Sequence, residues 1–294
     1  MNNTPYIFYS YSLSCVDVLL TTSEQWDLLL DNLGREIAYR KTSPTEQDRD
    51  TCIITPDKTT ILNDSNGEVV DVLYFSIAKH IDSRKAIKYD KSADILSRES
   101  VAADEYLVGN IVMIPLLGLL AASDRSSQED MNAKSSTNRF RAIVREIPLH
   151  SISIESAASY EYLREALKNW QLDEFSFTVR PFNPSVKTPG DKLHSLLSPD
   201  NAKVMGKEKP NKGDHLTFSE EGLMNEVTGL ADRGYGEYGT VGTTVDGYHA
   251  RIEKTAPESR KPPRIKVFVP PMSSKEAHVQ AVAKTLLEIY GKTP

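Results

Sequence analysis

Residues 6–14 alternate aromatic or aliphatic side chains with small polar ones, most regularly at Tyr9, Tyr11 and Leu13 against Ser10, Ser12 and Ser14. A repeat of two marks a strand with one face buried. The period then lengthens. Trp26, Leu29, Leu30 and Leu33 recur at helical spacing, Thr22 and Gln25 stand at the distance of a capping box, and Gly34 closes the helix. Two strand-like runs, residues 59–63 and 69–77, flank Asp64-Ser65-Asn66-Gly67, and Asn-Gly takes positive φ readily, which predicts a hairpin. A calcium loop on Asp64, Asn66 and Glu68 would need a further ligand at its twelfth position, which the sequence lacks.

Further along, Phe140, Ala142 and Val144 alternate with Arg141 and Arg145, which predicts a strand over 140–147 with both arginines on its polar side. Tyr160, Leu163, Leu167 and Trp170 mark one helix face, and residues 174–180 form another strand. Strand, helix and strand in that order predict a βαβ-like unit with parallel pairing. A helix over 219–232 turns Leu223, Met224, Val227 and Leu230 inward, and strands follow at 240–245, 248–254 and 264–269. The last helix carries Val279, Val282, Leu286 and Ile289 as its stripe, with Ser273 and Glu276 as its capping box and Gly291 as its stop. Residues 42–51, 123–138, 182–191 and 255–263 are polar and are expected as loops or linkers. The expected class is α+β, with mixed or antiparallel sheets and flanking helices in two domains, residues 1–138 and 139–294.

Composition narrows the possibilities. With 39% hydrophobic and 26% charged residues among 294, the chain can bury a sizeable core. The net charge of −6 argues against whole-molecule attraction to nucleic acid and leaves room only for local basic patches. Two cysteines, Cys15 and Cys52, make neither a disulfide framework nor a zinc site, and no basic stretch opens the chain. A cytoplasmic, reducing location is expected. The longest apolar run, residues 111–122, contains Pro115 and is too short to span a bilayer.

Catalytic chemistry is sparse. Gly234-Tyr235-Gly236-Glu237-Tyr238-Gly239 matches G-x-G-x-x-G, but a dinucleotide site needs a strand before the glycines and a helix after them. Here the order is reversed, so a bending segment with Tyr235 and Tyr238 partly exposed is expected. No P-loop, G-x-S-x-G or H-E-x-x-H is present, no lysine has an acidic residue two positions before it, and the six histidines lack metal-ligand spacing. No cofactor, metal or catalytic residue is expected.

Positive charge collects locally. Arg251, Lys254, Arg260, Lys261, Arg264 and Lys266 lie within sixteen residues that hold only Glu253 and Glu258 as acids. Arg84, Lys85, Lys88 and Lys91 form a second cluster, Arg141 and Arg145 a third, and Lys203, Lys207, Lys209 and Lys212 a fourth. The first three are the candidate nucleic-acid contacts, since such groups hold phosphates without reading bases.

The layout resembles the RexA-type phage-exclusion proteins: the N-terminal strand and helix, the Asn66-Gly67 hairpin and the basic stretch 85–91. So do Ala102-Ala103-Asp104-Glu105 before an apolar segment, the strand 174–180 running into Pro181, and the terminal helix. The resemblance implies a homodimer that binds double-stranded DNA non-specifically and, in antiviral defence, senses phage nucleoprotein and activates a membrane-embedded effector. It supplies no catalytic residues. Two alternatives remain open: a phage- or plasmid-encoded adaptor or inhibitor whose acidic surface meets a basic protein, and a metal-dependent nuclease built from dispersed carboxylates.

Overall fold

The structure is a computed structural model that describes residues 3–290 apart from 17, 22, 34–35, 41–48, 64–66, 81–83, 91–94, 102–105, 125–129, 157–159, 181–191, 194, 196–202 and 256–262. The chain opens with β1 (Thr4–Cys15), a short β2 (Val18–Leu19) and helix α1 (Ser23–Asn32). Strands β3 (Glu36–Arg40), β4 (Arg49–Leu62) and β5 (Val69–His80) follow, then the hairpin β6 (Arg84–Asp90) and β7 (Ile95–Val101). Next come β8 (Tyr106–Ile114), a 3-10 turn at Pro115–Leu117, and β9 (Leu119–Ser123). Helix α2 (Ala133–Glu146), β10 (His150–Ser156), helix α3 (Tyr160–Asn169), β11 (Gln171–Val179) and β12 (Val204–Glu208) continue the chain. It ends with helix α4 (Leu223–Asp232), the strands β13 (Gly236–Thr243), β14 (His249–Lys254) and β15 (Arg264–Val269), and helix α5 (Lys275–Tyr290).

Thirteen of these strands form one sheet in the order β12-β11-β13-β14-β15-β1-β9-β8-β5-β4-β3, with β10 and β2 also paired to β1. Every pairing between named strands is antiparallel, so the class is α+β. β1 sits where the two halves of the chain meet. One of its edges pairs β9, and the other pairs first β15 and then β10. The two units expected at 1–138 and 139–294 therefore share a sheet, and residue 138 lies inside α2.

Each side of the sheet feeds a separate core. Tyr6, Phe8, Val112 and Val267 pack with Leu167 of α3, Val227 of α4 and Leu286 of α5. Ile7, Leu13, Phe75 and Ile111 pack on the opposite side with Trp26 of α1 and Phe140 of α2. Side chains alternate across a strand, so β1, β5, β8 and β9 are buried on both faces. A fully buried side chain of this size contributes about 1.5–3 kcal/mol.

Several expected elements are present. Asn63 N–H donates to Glu68 O and Gly67 N–H to Asn63 O, both at 2.8 Å, and Gly67 takes φ +72° in the β4–β5 hairpin. The first helix is fastened by Gln25, whose Oε1 accepts from Thr21 N–H at 2.8 Å. Ser274, one residue after the expected cap, accepts from Ala277 N–H at 3.1 Å to start α5.

The predicted strand at 140–147 is a helix instead. Phe140, Ile143, Val144 and Ile147 also satisfy the i, i+3, i+4, i+7 spacing, and all four are buried along one side of α2 and its C-cap. Asn132 caps α2 by accepting from Ser135 N–H at 2.8 Å. Residues 132–138, expected as loop, form the cap and first turns. Ser136 and Thr137 are buried there because their hydroxyls donate to the carbonyls of Asn132 and Ala133, at 3.2 and 2.9 Å. With that strand removed, the parallel βαβ unit disappears as well: β10 pairs β1, and β11 pairs β12 and β13, all antiparallel.

Strand β8 approaches α2 closely at Gly109, where a Cβ would lie 2.0 Å from Ser136 Oγ. Phe140→Ala is expected to lower the unfolding free energy by about 3–5 kcal/mol in urea titration. Gly109→Ala lowers it by about 1–3 kcal/mol, and adding Ser136→Gly recovers part of that loss.

Candidate nucleic-acid interface

Helices α1 and α2 cover their side of the sheet only as far as the β1 region. Beyond it, burial alternates strictly along β13, β14 and β15, and among the described residues no helix packs on the outward set. The second half of the sheet thus has one packed face and one open face.

Strand register sets out the open face in rows. Val241, Arg251 and Lys266 form one row across β13, β14 and β15, ending beside Ile7 of β1. Gly239, Glu253 and Arg264 form the row on one side of it, and Thr243, His249 and Phe268 the row on the other. Phe268 is the aromatic centre. The Arg251 guanidinium lies 5.8 Å from its ring centroid, Lys266 Nζ 5.9 Å, and the His249 ring 5.2 Å.

The three cations differ in how free they are. Arg251 and Arg264 are exposed, and among the described residues neither has a carboxylate within 4 Å. Lys266 Nζ is 2.7 Å from Asp124 Oδ2, while Asp124 Oδ1 accepts from Ala133 N–H at 3.1 Å, so this pair ties β15 to the first turn of α2. Tyr9 borders the patch. Burial pushes its hydroxyl pKa up to about 12, with Arg264 opposing and Asp124 reinforcing the shift, so it stays a neutral hydrogen-bonding group.

The other expected contacts lie elsewhere. Lys254 is on the packed face, 4% exposed, with Nζ 3.4 Å from Asp232 Oδ1. It lies three positions after Arg251, and an odd spacing in a strand means opposite faces. Arg141, on α2, donates through Nη2 to Ile154 O at 2.8 Å and so fastens α2 to β10. Arg145 is exposed one turn later on α2. Arg84, Lys85 and Lys88 belong to β6, in the two-stranded sheet with β7, and their side chains lie outside the described residues, as do Lys91, Arg260 and Lys261 altogether. Lys207 and Lys209 flank Glu174 at 2.6 and 3.6 Å, and Lys207 chiefly holds that carboxyl below its usual range.

The structure therefore brings together Arg251, Arg264 and Lys266 and separates Lys254, Arg141 and Arg145 from them. Phe268, His249 and Tyr9 are the neighbours the sequence reading missed; Phe268 shares the parity of Arg264 and Lys266, which was the available signal. The glycine-rich segment follows α4 and enters β13, with Gly234 at φ +88°. Tyr235 is partly exposed as expected, whereas Tyr238 is buried because β13 turns it onto the packed face.

Among the described residues no group of three or more His, Cys, Asp or Glu is placed to hold a metal, and no helix is long and apolar enough to cross a membrane. Neither the protein-family models nor the curated proteins compared with the chain match it.

Burial raises the Asp232 pKa, with Lys254 opposing. The folded protein then binds that proton more tightly than the unfolded chain does, so stability falls as pH rises from the ordinary Asp value of 3.8 to the folded one. Unfolding midpoints measured across this range should show the wild type losing stability relative to Asp232→Asn as pH increases.

Proposed function

We propose that this protein binds double-stranded DNA without sequence preference through the open face of β14 and β15. The observation that carries this reading is the pair of exposed guanidinium groups, Arg251 and Arg264, set beside Lys266 and Phe268 with no carboxylate within 4 Å among the described residues, although Glu253 is the cross-strand neighbour of Arg264. The segment joining these two strands in sequence contains Arg260 and Lys261, which adds to the local positive charge. The width of the surface supports backbone contact rather than base reading. Four strands, β11 to β15 in sheet order, span roughly 14 Å between their outer members, before side chains are counted. A major groove is about 12 Å wide, so the face would rest on phosphates. In the setting implied by the RexA-type layout, the protein would act in the cytoplasm as the DNA-sensing homodimer of an antiphage system and signal to a membrane-embedded effector.

A second reading rests on the acids of the same face. Glu237 and Glu253 also lack ion-pair partners among the described residues, and the chain carries −6 overall. A basic protein segment would complement them, which makes an adaptor the alternative.

Gel-shift titration on generic duplex tests both. Binding through three phosphate contacts should give a slope of about −3 in log affinity against log salt. Arg251→Glu with Arg264→Glu should weaken every duplex alike, by roughly tenfold or more for each lost charged contact. Unchanged affinity in the double variant would remove this surface from consideration. A preparation that carries a basic protein and no nucleic acid favours the adaptor.

A further inference from the structure

On the packed face beneath α5, one row of the sheet departs from the apolar pattern. Tyr6, Ser123, Asn110 and Ser76 stand side by side across β1, β9, β8 and β5, where Tyr6 pairs with Ser123 and Ser76 with Asn110. Asn110 N–H closes the row by donating to Ser123 Oγ at 2.9 Å. The neighbouring row is Phe8, Ala121, Val112 and Tyr74. Over the polar row, between it and the start of α5, lies a cavity of about 310 Å³.

The hydrogen bonds leave this cavity rich in donors. Tyr74 hydroxyl donates to Asn110 Oδ1 at 2.8 Å and Ser76 hydroxyl approaches the same oxygen at 3.1 Å, which fixes the amide with its Nδ2 hydrogens free. Among the described residues no acceptor lies within reach of Asn110 Nδ2. Ser123 is 4% exposed; its oxygen accepts from Asn110, and its own hydrogen has no acceptor there either. Ser274 uses its oxygen to cap α5 and keeps its hydrogen. Lys275 Nζ sits 4.4 Å from the Tyr74 ring centroid and 3.1 Å from Asp57 Oδ2, an exposed pair that holds it loosely. His278 Nδ1 faces the Pro270 carbonyl at 3.3 Å, so that nitrogen carries the hydrogen and Nε2 accepts from Tyr6 hydroxyl at 3.1 Å. Among the described residues of the lining, Asp130 is the one carboxylate.

Of these donors Ser123 is buried, Asn110 half-buried, and Ser274 and Lys275 exposed at the mouth, so the cavity joins a buried hydroxyl to a cationic rim. The group that answers Ser123, Asn110, Ser274 and Lys275 together is one with several acceptor oxygens and negative charge. We propose that this cavity binds a small phosphate monoester, of the size of a sugar phosphate or a mononucleotide. Its phosphate oxygens accept from those four residues, and a hydroxyl or amino group of its organic part donates to Asp130. The site lies on the opposite side of the sheet from Arg251 and Arg264 and stands independently of the DNA reading.

Isothermal titration of the full chain with adenosine monophosphate, glucose 6-phosphate, inorganic phosphate and adenosine tests the assignment. At least one monoester should bind saturably and more tightly than inorganic phosphate, and adenosine should not bind. Ser123→Ala and Lys275→Gln should each weaken the monoester about tenfold, the effect of one charge-assisted hydrogen bond. Lys275 is half exposed, so its substitution leaves the fold intact even where Ser123→Ala does not. The Arg251→Glu, Arg264→Glu protein should bind the monoester as the wild type does. Absence of saturable monoester binding at millimolar concentration, equal affinity for inorganic phosphate, or binding indifferent to both substitutions would overturn the proposal.

Discussion

β1 has to satisfy two cores at once. Tyr6 and Phe8 point to the side covered by α3, α4 and α5, while Ile7, Tyr11 and Leu13 point to the side covered by α1 and α2. A slip of one residue would exchange the two sets and place each against surfaces shaped for the other. The register of β1 with β9 on one edge, and with β15 and β10 on the other, is therefore fixed by packing on both faces. The aromatic contacts follow from it: Tyr11 meets Trp26 edge to face at 6.1 Å, and Trp26 and Phe140 both pack on Phe75.

That register also decides where charge can be presented. Lys266 lies opposite Ile7, so β15 must turn Arg264 and Lys266 away from the packed core and Ile265 and Val267 into it. β14 follows through its pairing with β15, which sets Arg251 beside Lys266 and sends Lys254 to the other side. The covering layer stops at Asp124, whose carboxylate holds both Ala133 N–H and Lys266. One acid thus spans the junction between the three-layered half and the half with an open face. The cation it neutralises is Lys266, whereas among the described residues neither arginine has a carboxylate within 4 Å. A chain of net −6 can still attract an anion if its positive field is confined to such a patch.

Much of the fold was legible in the pattern of residues, and the misreadings have definite causes. The β4–β5 hairpin was readable because Asn66-Gly67 admits few other conformations, and α5 because its stripe fits only the helical period. Phe140–Ile147 misled because its residues satisfy both a repeat of two and a repeat of 3.6. The choice fell to Asn132, whose cap lies in a segment too polar to suggest a buried helix, although Ser136 and Thr137 answer their own hydroxyls within the helix. The basic clusters were visible, but their arrangement was not. Distance along the chain does not report which face of a strand a residue takes when the register with distant β1 is unknown.

The residues by themselves determined most of the local elements, the α+β class and the stock of charged and polar groups, since these depend on spacings of a few positions. Only the tertiary structure decided that one sheet runs through both halves, that Arg251 and Arg264 share an open face while Lys254 is buried, and that Tyr6, Ser123 and Asn110 line a common cavity. Such neighbours are far apart in sequence and meet through strand pairing. Pairing is settled by the burial of many side chains together, a collective quantity that no short window of sequence contains.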